Sequence, residues 1–154
     1  SPTAFSPNAT TSRGMIVTIL YRLEGEPAAG TASFTDVPAG QWYSKAVAWA
    51  AQNGIVDGYG SGAFGPNDNI TREQMAAILY RYASYKGYSV TASSSTSSYS
   101  DASQISSYAQ TAMSWANATG LITGTSSTTL APKGNATRAQ AAMILMRFCE
   151  VVVG

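Results

Sequence analysis

The segment FGPNDNITREQMAAILYR, residues 64–81, decides the fold of this chain because it occurs three times in related form. An earlier copy begins at Phe5, 59 residues before Phe64, and a later copy begins at Leu130, 66 residues after it. A sequence that repeats at such a period consists of supersecondary units, none of which can bury its apolar face alone. The chain is therefore predicted to fold as a single domain built from repeats.

Composition narrows the classes of function. The chain has 154 residues, 45% of them hydrophobic, which is enough for one compact domain with a core. Nine basic and eight acidic residues leave a net charge of +1, so no broad electrostatic field favours nucleic acid or an anionic membrane. No apolar run is long enough to predict insertion into a membrane. Any recognition of an anion must therefore be local.

The absence of histidine removes the commonest general base and the commonest transition-metal ligand. No pair of carboxylates is placed for glycoside hydrolysis, and an EF-hand-like spacing around Asp57 and Asp68 is a poor match. The sequence therefore predicts no catalytic residues, no metal and no cofactor. The single Cys149 is expected to pack as a small apolar residue.

Each repeat is predicted to be a helix, a glycine-rich loop, a turn and a second helix. A front helix is expected from Trp42 to Asn53, and the next rear helix from Thr71. Apolar residues at helical spacing predict the buried faces. These residues are Ile16, Ile19, Leu20 and Leu23 in the first copy, Ala46, Val47, Trp49, Ala50, Met75, Ile78, Leu79 and Tyr82 in the second, and Ala141, Ile144, Leu145 and Phe148 in the third.

The repeats set the predicted boundaries. Residues 1–26 hold only the rear half of a first module, whose front helix is missing. Residues 34–88 form a complete second module and residues 99–154 a third. Residues 89–98, rich in serine, are a linker or a surface loop.

All six arginines fall at equivalent places, in pairs nine residues apart. The pairs are Arg13 and Arg22, Arg72 and Arg81, and Arg138 and Arg147. The first member of each pair follows Ser12, Thr71 or Thr137, residues that suit a helix N-cap. Thr71 with Gln74, and Thr137 with its own following glutamine, also fit the capping box.

Two interpretations of the first arginine in each pair stay open on this evidence. An arginine beside free backbone N–H groups at a helix start could hold an acidic ligand with its planar guanidinium. It could equally pair with an acid or a carbonyl of the neighbouring repeat and fix the packing. The second arginine of each pair lies near a helix C-terminus, where a cation suits the helix dipole, so we expect it to be structural.

The motifs resemble those of one family, the S-layer homology (SLH) module. The matching segments are Phe34-x-Asp36-Val, Trp42-Tyr, Ala48-Trp-Ala, Asn53-Gly-Ile-Val-Asp-Gly, Gly62-x-Phe64-x-Pro66 and Ile70-Thr-Arg-Glu-Gln. The second repeat matches along its whole length, the third matches with drift, and the first matches in its rear half only. The family's motif glutamate is replaced by Gln74, Gln140 and Met15, and the loop at 124–130 lacks Gly-x-Phe.

The resemblance implies a mostly α-helical domain, with three modules in a pseudo-threefold, three-pronged arrangement. It also implies an extracellular, wall-bound protein, anchored noncovalently through acidic, pyruvylated secondary cell-wall polysaccharide in grooves between modules. The arginine of the family motif is a ligand contact, which by resemblance implies Arg13, Arg72 and Arg138. This implication favours the ligand interpretation of those three residues.

Two further sets of residues are candidates for the glycan site. Trp49 and Trp115 could provide flat platforms for sugar rings, or could be core residues of their helices. The glycine-rich segments around Gly58 and Gly124 could offer backbone donors to sugar hydroxyls. An alternative function is a structural module for protein assembly, without direct glycan binding. The missing front helix leaves a homodimer or domain exchange open.

Overall fold

The chain is mostly α-helical, as the sequence predicts. The computed structural model describes residues 9–154, so the predicted turn at Phe5 lies outside the described residues. The helices are α1 (Arg13–Leu23), α2 (Ser44–Gln52), α3 (Arg72–Lys86), α4 (Gln110–Ala118) and α5 (Arg138–Arg147). Short 3-10 helices at Ala102–Gln104 and Ser107–Ala109 precede α4, and a π-helical turn, Phe148–Val153, follows α5. Extended pairing within residues 9–154 is limited to three isolated β-bridges.

Contacts divide the chain into two compact units that do not coincide with the repeats. The first unit in the chain, residues 12–69, contains α1 and α2, which pack on each other. The other contains Ile70–Gly154 and the described residues before Ser12, and in it α3 packs on α4. Each unit thus pairs the rear helix of one repeat with the front helix of the next. The packing is staggered by half a module relative to the sequence.

The predicted N-caps of the rear helices are confirmed. The hydroxyls of Ser12, Thr71 and Thr137 each accept a hydrogen bond from the backbone N–H three residues later, at 3.1 to 3.2 Å. The side chains of Gln74 and Gln140 return a bond to the cap N–H of α3 and α5, which completes both capping boxes. Each cap is worth about 1 kcal/mol, so the repeated sequence fixes where these helices begin.

The buried faces of α2 and α3 are confirmed, but the prediction for α1 is half wrong. Ile16 and Leu20 are fully buried, whereas Ile19 and Leu23 are exposed. The helical stripe turns toward Tyr21 instead, because α2 covers that side of α1. The ring of Tyr21 lies 5.6 Å from the ring of Trp49.

The third copy also departs from expectation at its rear helix. Ala141, Ile144 and Phe148 are buried as predicted, but Leu145 is only half buried. Cys149 is exposed, so the prediction that it packs as a small apolar residue is wrong. Its counterpart in α3, Ala83, is fully buried. Among the described residues no helix packs on α5 as α4 packs on α3, which explains the difference.

The serine-rich segment is held on α4. The backbone N–H of Ser94 donates to Ser114 Oγ at 3.0 Å, and Ser114 Oγ donates to the Ser94 carbonyl at 2.7 Å. Ser94 Oγ also donates to Asn117 Oδ1 at 2.9 Å. Of the two expectations for residues 89–98, these contacts favour the surface loop.

A closed ring of three backbone hydrogen bonds lies just before the helix caps of α1, α3 and α5. The N–H of Thr11 donates to the Ala136 carbonyl at 3.1 Å, Ala136 donates to Ile70 at 2.9 Å, and Ile70 donates to Thr11 at 2.7 Å. These are equivalent positions of the three repeats, and all three residues are buried. The ring pairs backbone groups that would otherwise be costly to bury.

The ring generates a prediction about stability. The Oγ1 of Thr11 is buried with no hydrogen-bond partner among the described residues, while the two equivalent positions carry no hydroxyl. Thr11→Val removes this unpaired group and keeps the side-chain shape. We therefore expect the free energy of unfolding, measured in urea, to rise by about 1 kcal/mol. The exposed neighbour supplies the control, since Thr10→Val should change stability by less than about 0.5 kcal/mol. A clear loss of stability in Thr11→Val would contradict the account.

Candidate functional site

In unit 12–69, the first motif arginine fastens α1 to a loop. Arg13 is buried, its Nε donates to the Phe64 carbonyl at 3.0 Å, and its Nη2 donates to the Asp57 carbonyl at 3.4 Å. The rings of Tyr59 and Phe64 lie 4.8 and 4.6 Å from the guanidinium carbon. Arg13 thus has carbonyl partners and an aromatic cover, which is the packing role allowed by the sequence.

An aspartate shapes the loop that receives Arg13. The two carboxylate oxygens of Asp36 accept the N–H groups of Phe64 and Gly65, both at 2.8 Å. Burial acts to raise the pKa of Asp36, but these N–H donors lower it further, so the pKa lies below its usual value. The ionised carboxylate therefore fixes the chain direction at the carbonyl that Arg13 uses.

The second motif arginine repeats this geometry in unit 70–154, with one difference. Arg72 is buried, its Nε donates to the Leu130 carbonyl at 2.9 Å, and its Nη2 donates to the Thr123 carbonyl at 2.7 Å. The position of Tyr59 is taken here by Thr125. Consequently no ring of the described residues covers the Arg72 guanidinium.

Asp101 holds the loop around Arg72 as Asp36 holds its counterpart. Its carboxylate accepts the N–H groups of Leu130 and Ala131 at 2.9 and 2.8 Å, and the bond from Leu130 is the main reason that its pKa is lowered. Burial lowers the pKa of the Arg72 guanidinium, which Asp101 partly offsets. An arginine titrates so far above neutrality that Arg72 stays a cation at pH 7.

A cavity of about 280 Å³ opens beside Arg72. Its polar lining includes Arg72, Arg147 and Gln140, together with the loop from Thr123 to Thr125. The apolar lining is Leu121, Ile122, Ala139, Met143 and Ile144. Two arginines and no carboxylate line it, so the cavity favours an anion. We call it the Arg72 cavity.

Gly124 is required by the loop that forms this cavity. A side-chain carbon at this position would meet the carbonyl oxygens of Ser126 and Thr129. The turn closes through the Thr125 N–H, which donates to the Thr129 carbonyl at 2.9 Å. This loop lacks the Gly-x-Phe of the second repeat. In the structure, its small side chains leave the space that the cavity occupies.

Gly58 has an equivalent structural role in unit 12–69. A side-chain carbon there would lie 2.5 Å from the Ala63 carbonyl oxygen and 2.7 Å from the Phe34 ring. The neighbouring Tyr59 N–H donates to the same carbonyl at 2.9 Å. Glycine is therefore needed for the close approach of this turn to Phe34.

The other residues predicted to bind glycan do not line the Arg72 cavity. The backbone N–H of Arg138 donates to the Ala9 carbonyl at 2.8 Å, and its Nε is buried with no hydrogen-bond partner among the described residues. Trp49 and Trp115 are 2% and 1% exposed, so neither presents a ring face to a sugar. For both tryptophans the structure supports the core interpretation.

Two residues of unit 70–154 were not predicted from the sequence to have their observed roles. Arg147 was expected to be structural, but it lines the Arg72 cavity and also donates from Nη1 to the Gly120 carbonyl at 3.4 Å. Glu73 was not singled out, although it is the only carboxylate that directly follows a motif arginine. Gly14 and Ala139 occupy the equivalent positions in the other repeats. The carboxylate at this one position was the sequence signal that could have singled out Glu73.

Glu73 locks the start of α3 to the turn before α4. The buried carboxylate accepts the Ser106 N–H at 2.9 Å, the Ser106 hydroxyl at 2.6 Å and Lys133 Nζ at 3.1 Å. Lys133 Nζ also bonds Ser106 Oγ. Burial raises the pKa of Glu73, but these donors together lower it below its usual value.

Comparison with known families identifies the repeat. Residues 33–76 and 98–142 match the family model of the S-layer homology domain, and together these segments cover more than half of the chain. The chain belongs to the S-layer homology family. An SLH domain is a binding and anchoring module. Membership of this family supports the extracellular, cell-surface location that the resemblance implies.

Curated relatives are similar to this SLH chain over a small part of their own length. It is 37% identical to an amylopullulanase of Thermoanaerobacterium thermosulfurigenes, over 96% of this chain and 8% of that protein. It is 35% identical to the exoglucanase XynX of Acetivibrio thermocellus, over 96% of this chain and 14% of that protein. It is 32% identical to a surface-layer 125 kDa protein of Lysinibacillus sphaericus, over 96% of this chain and 12% of that protein. Enzymes and a surface-layer protein thus share a module that is short relative to their length.

Two kinds of feature are absent from the described residues. None of the helices in residues 9–154 is long and apolar enough to cross a membrane. Within the same range, no three or more His, Cys, Asp or Glu side chains are grouped so as to hold a metal ion.

The Glu73 network predicts a pH-dependent contribution to stability. Glu73→Gln should lower the free energy of unfolding by about 2 kcal/mol at pH 7, because a neutral amide replaces a carboxylate that accepts three hydrogen bonds. The folded-state pKa is depressed, so the wild-type advantage is present above the unfolded pKa and is lost as the pH falls through the folded pKa. Urea unfolding between pH 7 and pH 3 measures it.

The exposed Glu150 supplies the control, since Glu150→Gln should change stability by less than about 0.5 kcal/mol. A difference between wild type and Glu73→Gln that stays constant over the whole pH range would contradict the assignment.

Proposed function

We propose that this SLH chain anchors a surface protein noncovalently to the bacterial cell wall by binding an acidic, pyruvylated secondary cell-wall polysaccharide. The observation that carries the proposal is the Arg72 cavity, which two arginines and no carboxylate line. The relatives agree in kind, because one is a surface-layer protein and two are polysaccharide-degrading enzymes by name. Anchoring is a role that such different proteins could share.

The ligand chemistry suits the cavity. A pyruvate ketal holds one carboxylate and one methyl group rigidly on a sugar ring. Arg72 uses two of its N–H groups on carbonyls, so the rest of the guanidinium can serve the carboxylate. Met143 and Leu121 offer apolar contacts to the ketal methyl, and the loop at Gly124 offers backbone groups to hydroxyls.

In this proposal Arg72 has both roles that the sequence left open. Its carbonyl bonds hold the guanidinium in one orientation before a ligand arrives, so little rotamer entropy is lost on binding. Arg147 adds a second cation on the same wall of the cavity. The volume lies near the small end of ligand pockets, which span about 300–1,000 Å³, and suits one acidic sugar residue of a longer chain.

Two exposed methionines of α5 give a matched test. Met143 lines the Arg72 cavity and Met146 does not, although they are 45% and 51% exposed on the same helix. Met143→Glu places a carboxylate where the ligand carboxylate should bind, so we expect cosedimentation with purified walls to weaken by at least about tenfold. Met146→Glu adds the same charge outside the cavity and should bind like wild type. Equal binding by both variants would overturn the proposed site.

The role of the ketal carboxylate of the polysaccharide is tested separately with purified walls. Walls are compared before and after mild acid removes the ketals, with wild-type chain and with Met143→Glu. We expect ketal removal to weaken wild-type binding to the level of Met143→Glu and to leave that variant little changed. Wild-type binding that survives ketal removal would reject the carboxylate mechanism even if the cavity binds glycan.

One observation favours a second candidate function, assembly through α5. Met143, Met146, Val151 and Val153 are all exposed along α5 and its π-helical turn. Met143 and Cys149 are exposed, whereas their counterparts in α3, Ala77 and Ala83, are buried. A second copy of this chain could cover that apolar side. Sedimentation velocity without glycan would then show a concentration-dependent dimer, which Met146→Glu should dissociate. A monomer at all concentrations would remove this candidate.

A further inference from the structure

Unit 12–69 contains a second cavity, of about 240 Å³, that shares no residue with the Arg72 cavity. Its lining includes Arg22 and Glu26 at the end of α1, and Gln41, Trp42 and Lys45 at the start of α2. We call it the Trp42 cavity. None of these residues was predicted to bind a ligand, and none takes part in the proposed anchoring site.

We infer that the Trp42 cavity is a second carbohydrate site, in which an acidic sugar stacks on Trp42 while its anionic group meets Arg22 and Lys45. The inference rests on the proposed function only in taking the same class of polymer as its ligand. Two separate sites on one chain would grip a repeating polysaccharide at two points and raise the total affinity.

Trp42 is the accessible tryptophan among the three in the chain. It is 56% exposed, against 2% for Trp49 and 1% for Trp115. Its ring is nevertheless held, because it packs edge-on against Tyr43 with ring centres 5.1 Å apart. An aromatic ring that is both exposed and fixed provides a platform for the apolar face of a sugar at little entropic cost.

Gly14 lets the Pro66 carbonyl approach α1 beside the Trp42 ring. A side-chain carbon on Gly14 would lie 3.5 Å from the outer edge of that ring and 2.8 Å from the Pro66 carbonyl oxygen. The equivalent position in α3 carries Glu73, whose carboxylate binds Ser106 and Lys133 instead. The ring of Trp42 thus lies against α1 at Gly14, where the close Pro66 carbonyl requires glycine.

The charged groups of the cavity are available to a ligand. Among the described residues, no side-chain hydrogen bond or ion pair engages Arg22, Lys45 or Gln41, although all three line one small cavity. Two cations face one carboxylate, Glu26, so the lining is net positive. Arg22 and Lys45 suit an anionic group, while Gln41 and Glu26 suit sugar hydroxyls.

Hydrogen bonds fix the walls around these groups. Tyr21 donates from its hydroxyl to the Pro27 carbonyl at 2.7 Å, which holds the segment after α1. Ser44 Oγ donates to the Pro38 carbonyl at 2.6 Å and accepts the Gln41 N–H at 3.0 Å, which holds the turn before α2. The cavity therefore lies between ordered segments and does not depend on a loop closing.

The third repeat carries the corresponding positions without this chemistry and supplies the control. Tyr108 replaces Trp42, Thr111 replaces Lys45, and Arg81 is the counterpart of Arg22. Arg81→Ala thus removes an arginine from the same helical position without touching the Trp42 cavity.

Tryptophan fluorescence tests the inference directly. The probe is a disaccharide with a 4,6-pyruvate ketal, and the comparison is the same disaccharide after mild acid removes the ketal. We expect a saturable change in emission that Trp42→Phe abolishes, since the other two tryptophans are buried. The Kd should rise by at least about tenfold in the Arg22→Ala, Lys45→Ala double variant and stay within about twofold in Arg81→Ala.

The outcomes separate this inference from the anchoring proposal. No saturable change in wild type, an unchanged Kd in the double variant, or an equal loss in Arg81→Ala would overturn the second site. A Trp42 response that persists in Met143→Glu supports two independent sites. If Met143→Glu still binds walls normally while the Trp42 response holds, the Arg72 cavity fails and the Trp42 cavity stands.

Discussion

The structure depends on one repeated interaction: a buried arginine at the first residue of a rear helix donates to two carbonyls of the following module's loop. In unit 70–154 Arg72 makes these bonds to Leu130 and Thr123. The loop is ready to receive them because Asp101 accepts two of its N–H groups. A buried guanidinium is costly without partners, so a folded unit requires helix, loop and aspartate together. This requirement explains why packing is staggered by half a module.

Within that shared frame, single residues decide what each unit can do. Tyr59 lies over Arg13, whereas Thr125 at the equivalent position leaves Arg72 beside an open cavity. Glu73 joins the first turn of α3 to Ser106, whereas Gly14 lies beside the exposed Trp42 ring in the first turn of α1. The repeats are therefore equivalent in architecture but not in their surfaces. A pair of unlike sites on one chain is the functional consequence that we propose.

The sequence predicts the repeats, the caps and the helical class because each depends on local chemistry. Ser12, Thr71 and Thr137 cap their helices whatever lies around them. The sequence does not predict which side of a helix is covered, because that depends on a neighbouring helix from another repeat. Ile19 and Cys149 are exposed for this reason.

The same limit applies to the candidate site. Arg72 and Gly124 can be found from spacing and family resemblance, and both line the cavity. Arg147 lines it too, but its position near a helix C-terminus has an adequate structural explanation. Trp49 and Trp115 have the residue type of a sugar platform yet lie in the core, while exposed Trp42 stands seven residues before Trp49. Burial separates these cases, and residue type alone does not.

The most direct test of the account is a nuclear magnetic resonance titration that resolves the arginine Nε–H and glycine N–H signals. The titrant is a pyruvylated wall disaccharide. The account predicts that the signals of Arg72, Arg147 and Gly124 shift together and saturate, that Arg138 does not follow them, and that removing the ketal abolishes the shifts. Saturable shifts at Arg13 or Arg138 with Arg72 and Gly124 unmoved would contradict it.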